Sequence, residues 1–178
     1  MIKTALLVDG SNIYAACRAI NLEIDYARLL QMCSVNKVMV TANYYSAVLE
    51  RRENESDTLR PLLDWLEYND YSVITKTCKV FTDERGLTKV KGNMDTEIIV
   101  DMMMLAKHVD HFYLCSGDGD FTYAVETVQR FFGCRVTVIS TLCKNRIGYT
   151  SMVADELRRT ANSFIDMDMA RSLLVKHD

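Results

Sequence analysis

Apolar positions along the chain fall into two patterns. Residues 3–8 (KTALLV) and 112–115 (FYLC) are nearly continuous apolar runs, as in parallel strands covered on both faces. Residues 37–45 (KVMVTANYY) and 134–139 (CRVTVI) alternate instead, with β-branched and aromatic side chains that suit a pleated surface. Between these runs, helical spacing predicts helices over about 12–20, 26–33, 56–68, 95–107, 120–132 and 151–161, with a short one at about 168–175. Pro61 is compatible with a helix start. Because strand and helix alternate, the expected architecture is α/β: a three-layer sandwich around a mainly parallel central sheet, in a single domain spanning residues 1–178.

Residues 72–90 break the alternation. SVITKTCKVF and LTKV flank TDERG, a glycine-containing turn, so this stretch reads as a hairpin arm. The arm is basic: Lys76, Lys79, Arg85, Lys89 and Lys91 face only Asp83 and Glu84, whereas the whole chain has a formal net charge of −3. Nucleic acid would therefore have to be met by this local patch and not by the charge of the body.

A chain of 178 residues with 49% hydrophobic content can bury a core of ordinary size, and 1 Pro and 7 Gly argue against disordered or collagen-like classes. The 6 cysteines are scattered and never form CxxC, which fits reduced thiols in a cytoplasm. The apolar run from Ala5 to Val8 is too short for a signal peptide, and the stretch near residue 100 is interrupted by Asp101, so no membrane span is expected.

In open parallel sheets, ligands bind beyond the carboxyl ends of the strands. The first polar residues there are acidic: Asp9-Gly10-Ser11-Asn12 after the first strand, and Ser116-Gly117-Asp118-Gly119-Asp120 after the strand at 112–115. The glycines would let both turns bend sharply. Asp95, after Lys91-Gly92-Asn93-Met94, starts a helix and is a third candidate. Each Asp can simply cap the next helix. If the strands are neighbours, however, the carboxylates converge, and like charges then raise pKa values or require a cation. Oxygen ligands without His or Cys favour Mg²⁺ or Mn²⁺.

Asp101, six positions after Asp95, points about 120° away from it on an ideal helix and reads more readily as a hydrogen-bonded structural carboxylate than as a ligand. His108, His111 and His177 lack ligand or acid–base spacing. Met102 to Met104, Trp65 and Tyr68 read as packing residues. Arg51 and Arg52, among glutamates, read as a solvated helix face.

DGSN at 9–12, KGNMDTEIIVD at 91–101 and SGDGDF at 116–121, in this order, resemble the signature segments of the NYN domain, a branch of the PIN-like nucleases, and more closely its bacterial LabA-like group. The resemblance extends to LRRTANSFI at 157–165, where Asn162 stands in place of an Asp that the pattern leads one to expect. It implies a PIN-like, Rossmannoid sandwich and a metal-dependent ribonuclease. Asp9, Asp95, Asp118 and Asp120 would be the catalytic and metal-binding set, with Asn12 and Ser116 orienting it. The mechanism would be hydrolysis of RNA phosphodiester bonds with Mg²⁺ or Mn²⁺ and without a protein nucleophile. Lys91 and the arm lysines Lys76, Lys79 and Lys89 would meet the phosphate backbone, with Lys144 and Arg146 as further candidates. Gly117-Asp118-Gly119 also resembles a phosphatase metal turn, but Ser11 stands where that motif needs a second Asp; Ile13 likewise breaks an adhesion-site DxSxS pattern. The main alternative is a catalytically silent RNA-binding or protein-interaction module with the same fold.

Overall fold

The computed structural model describes residues 1–49, 59–82, 88–143 and 152–175. The expectations for Arg51, Arg52, Asp83, Glu84, Arg85, Lys144, Arg146 and His177 lie outside these residues, as does the TDERG turn beyond its first residue. Seven strands, β1 (Lys3–Asp9), β2 (Val38–Leu49), β3 (Ser72–Thr82), β4 (Thr88–Lys91), β5 (His111–Cys115), β6 (Arg135–Ser140) and β7 (Ser163–Asp166), alternate with helices α1 (Gly10–Ala19), α2 (Tyr26–Ser34), α3 (Arg60–Tyr68), α4 (Asp95–Leu105), α5 (Thr122–Phe132), α6 (Asp155–Thr160) and α7 (Arg171–Leu174). The sheet order is β4-β3-β2-β1-β5-β6-β7. Six strands are parallel, and β4 runs antiparallel on the edge of β3, with Lys79 opposite Lys91 and Phe81 opposite Lys89.

The continuous apolar runs are the central strands. Ala5, Leu6, Leu7 and Val8 are all fully buried, because β1 sends alternate side chains to two cores. Ala5 and Leu7 join Phe112, Leu114, Val136 and Val138 beneath α4, α5 and α6. Leu6 and Val8 join Tyr113, Cys115 and Ile139 beneath α1, α2, α3 and α7. The three-layer sandwich is therefore as expected, with one addition. SFID at 163–166 forms β7, too short and too mixed to register as a strand, and it is held by Asn162, whose Oδ1 accepts from the Val136 amide at 2.7 Å and from Gln129 Nε2 at 3.2 Å. Asn162 thus ties β6, β7 and α5 together, a role its side-chain carbonyl fills as an Asp would.

Two packing expectations are corrected. Tyr68 is 89% exposed and Met104 69%, since both lie on the outward sides of their helices, whereas Met102 is fully buried. Among the described residues no helix is long and apolar enough to cross a membrane.

Strand order reverses between β1 and β5: the chain leaves β1 toward β2 and β3, then returns to the other side through β5 and β6. The turns after β1 and β5 are thus neighbours at the switch point, where no crossover connection fills the crevice.

Candidate functional site

Asp9, at the end of β1, is almost fully buried. Its Oδ1 accepts from the Asn12 amide (3.2 Å) and the Ser11 hydroxyl (2.9 Å), and its Oδ2 accepts from Ser116 Oγ at 3.2 Å. Across the same gap, the Gly117 amide donates to Asn12 Oδ1 at 2.8 Å. Asn12 and Ser116 therefore join the two turns. Gly10 and Gly117 serve close approach. A Cβ at Gly10 would lie 2.7 Å from both the Tyr44 hydroxyl and the Tyr45 carbonyl, and one at Gly117 would collide with the Met152 carbonyl. The expectation of sharp glycine bends is corrected here: among the described residues only Gly133 is a glycine with positive φ.

The second turn continues the network. The Asp118 amide donates to Ser116 Oγ at 3.2 Å, and the Asp118 carboxylate accepts from the Asp120 amide at 3.0 Å, capping a 3₁₀ turn, Gly119–Phe121, that leads into α5. Asp9 and Asp118 are thus caps as well as members of an acidic crevice, so the two readings of these residues coexist. Asp120 does not cap the turn it belongs to; its side chain is free to join a cluster. Asp95 is the first residue of α4, where a carboxylate also complements the helix dipole, and it accepts from Asn93 Nδ2.

Asp95, Asp118 and Asp120 each present one oxygen, all within 4.8 Å of one another. Asp9 stands outside this triangle, its oxygens engaged by Ser11, Asn12 and Ser116, yet its charge still acts on Asp95. Burial, followed by the charges of Asp118, Asp9, Asp120 and Glu97, holds the Asp95 carboxyl above its ordinary value of 3.8. Such a set can hold a hard cation: every donor is a carboxylate oxygen, and a cation would relieve the repulsion that the geometry imposes.

The remaining candidates are placed elsewhere. Asp101, six residues along α4, is not in the triad; its Oδ2 accepts from the Tyr45 hydroxyl at 2.8 Å. The Lys76 ammonium lies 2.7 Å from Glu97 Oε1, and this lysine is the chief cause of the lowered Glu97 pKa. Lys76 is therefore ion-paired to the first turn of α4. Lys79, Lys89 and Lys91 lie on the β3–β4 arm, four positions or more before Asp95 in the case of β4. Sequence reasoning did not single out Tyr45 or Asn43. The available signal was the polar row Thr41, Asn43, Tyr45 at a spacing of two within a mostly apolar strand.

The NYN domain family model matches residues 3–168. The chain is 30% identical to the low amplitude and bright protein LabA of Synechococcus elongatus, over 98% of this chain and 88% of that one. A crystal structure of a protein of unknown function from Vibrio parahaemolyticus superposes with a TM-score of 0.77 at 26% identity, covering 98% of this chain and 96% of that one.

Proposed function

The chain belongs to the NYN domain family, a branch of the PIN-like nucleases, and from that premise we propose that it is a metal-dependent endoribonuclease acting on single-stranded or loop RNA. The observation that carries this reading is the convergence of Asp95, Asp118 and Asp120 at the switch point of the sheet. These three carboxylates would hold the ion, with Asp9 adding negative charge and anchoring the turn that carries Asp118. Bound Mg²⁺ or Mn²⁺ would supply an acidified water and charge to offset the leaving oxygen.

The chain's own residues have the complementary tasks. Asn12 and Ser116 fix the two turns against each other, so Asp118 and Asp120 are presented by a hydrogen-bonded frame and need not be organised during the reaction. Lys79, Lys89 and Lys91 on the arm would meet the phosphate backbone and supply the affinity that a net charge of −3 does not. A crevice between two turns admits one bent strand more readily than a duplex, whose recognition needs a face spanning two grooves.

The test is cleavage of end-labelled single-stranded and duplex RNA by the full chain with Mg²⁺, with Mn²⁺ and with EDTA. Metal-dependent internal cleavage, lost in Asp95→Asn and Asp118→Asn, is the expected result. Cleavage that survives EDTA would overturn the mechanism. Retained RNA binding without cleavage would make the chain the catalytically silent module.

A further inference from the structure

The acidic triad draws its members from two sources that are fixed in different ways. Asp118 and Asp120 sit on a turn tied to β1 by Ser116 and Asn12. Asp95 sits on the first turn of α4, where mutual repulsion within the triad would act to move that end of the helix away. The apolar side of α4 opposes such movement only weakly in direction. Ile98 and Met102 are fully buried, with Ile99 and Met103 packed beside them, but hydrophobic contact is non-directional and methionine adapts to small rotations. Packing buries this side of α4, and directional bonds to the sheet add the angular precision that packing leaves.

Among the described residues the Cys134 thiol donates to the carbonyl of Ala106, the C-cap of α4, at 3.3 Å, and an ion pair and a hydrogen bond reach side chains of the helix itself. Lys76–Glu97 is the partly exposed ion pair, which salt screens and solvent weakens. The hydrogen bond is built into the core. Tyr45 is fully buried in β2, at the register position opposite Asp9, and its hydroxyl donates to Asp101 Oδ2 at 2.8 Å. The direction of that bond is imposed from below: Thr41 Oγ1 donates to Asn43 Oδ1 at 2.6 Å, and Asn43 Nδ2 donates to the Tyr45 oxygen at 2.9 Å. With its acceptor side used by Asn43, the single phenolic hydrogen is left for Asp101. Thr41, Asn43 and Tyr45 lie on one face of the strand because side chains alternate with a period of two.

We propose that Tyr45 is a positioning residue for the acidic triad: through Asp101 it fixes the rotation of α4, and thereby holds Asp95 against Asp118 and Asp120. This deepens the metal reading above and rests on it for its first test. Tyr45→Phe keeps the ring and removes the bond. In calorimetric titrations of the full chain with Mn²⁺, this variant is expected to bind about tenfold more weakly, the scale that applies when a residue supporting a metal ligand is removed. Made on top of Asp95→Asn, the same change should cost less than about twofold, because its effect is transmitted through Asp95. Hydrogen exchange without metal gives an independent readout: amides of residues 95–101 should exchange faster in Tyr45→Phe, with β1, β5 and β6 unchanged. Wild-type Mn²⁺ affinity in Tyr45→Phe would overturn the proposal, as would an equal loss with and without Asp95→Asn, which would mark general loosening. If the unmodified chain takes up no Mn²⁺, the metal reading fails, and exchange alone decides the positioning role: faster exchange confined to α4 supports it and unaltered exchange overturns it.

Discussion

The central strands β1, β5 and β6 are flanked by polar clusters toward both ends. Toward the amino ends, the Lys37 ammonium donates to the Tyr113 hydroxyl at 2.8 Å and lies 5.3 Å from that ring's centroid. His111 stacks on the same ring with centroids 4.5 Å apart, and its Nε2 meets Thr137 Oγ1 at 2.8 Å. Each of these side chains has a partner of complementary character. At the carboxyl ends, three carboxylates face one another, and a fourth, Asp9, adds its charge. A satisfied cluster contributes to holding the strands together. A repulsive one costs stability, and its persistence points to a ligand or a reaction.

Chemistry should separate the two ends most sharply. Asp118→Asn is expected to lower metal-dependent RNA cleavage by about 100-fold or more, the scale for losing one electrostatic contributor at a reacting centre. Tyr113→Phe, at the other end, should leave the rate near that of the unmodified chain. Equal losses in the two variants, measured as initial rates, would erase the distinction.

Stability should divide the acidic end itself. Asp9→Asn disturbs a buried acceptor of three hydrogen bonds, so apo unfolding in urea should show a loss of about 1–3 kcal/mol. Asp95→Asn removes repulsion and keeps an acceptor for Asn93, so the apo protein should melt at a higher temperature. The pH signature follows. The folded chain holds the Asp95 proton more tightly than the unfolded chain, so this group's contribution to stability falls as pH rises from 3.8 through the raised value. A lower melting temperature for Asp95→Asn without metal would show that its carboxylate supports the fold.

Salt dependence probes the basic arm. Replacing Lys79 and Lys89 by Ala should reduce the slope of log binding constant against log salt by about 0.7 for each single-strand phosphate that these lysines neutralise. Filter binding over a salt series measures this, and an unchanged slope would move the RNA surface elsewhere. Lys76→Ala should change the slope less, because its charge is already paired with Glu97.

The smallest expected effect is at the amino ends. Burial, followed by the charges of Lys37 and Arg135, holds the His111 pKa below its ordinary 6.5. Protons then bind more readily to the unfolded chain, so stability is lost as pH falls below 6.5 through the lowered value, the opposite sign to Asp95. Urea midpoints of His111→Gln between about pH 5 and 7 should vary less than those of the unmodified chain; parallel curves would remove His111 from the account.

What the sequence disclosed follows from the range of the interactions involved. β1 and β5 were legible because burial on both faces leaves an unbroken apolar run, and the turns after them because Asp, Gly, Ser and Asn have few other uses there. Neither β7 nor the tie made by Asn162 could be read, since SFID becomes a strand only through its pairing with β6. The grouping of Asp95 with Asp118 and Asp120 was within reach, but the separation of Asp9 from that triangle was not: it depends on hydroxyls from Ser11 and Ser116 reaching its oxygens. Lys76 looked like a phosphate ligand from local charge alone, and its partner Glu97 is 21 positions away.

The bond between Ser116 and Asp9 spans 107 positions of the chain, and this sets an order of events during synthesis. A ribosome exposes β1 long before β5 has been translated, so the edge of β1 that pairs with β5 has no partner until then. Only when β5 emerges and pairs along β1 do Asp118 and Asp120 come within reach of Asp95. Nascent chains that stall before that point carry Asp9 and Asp95 but no triad, so the acidic centre can close only after β5 has emerged.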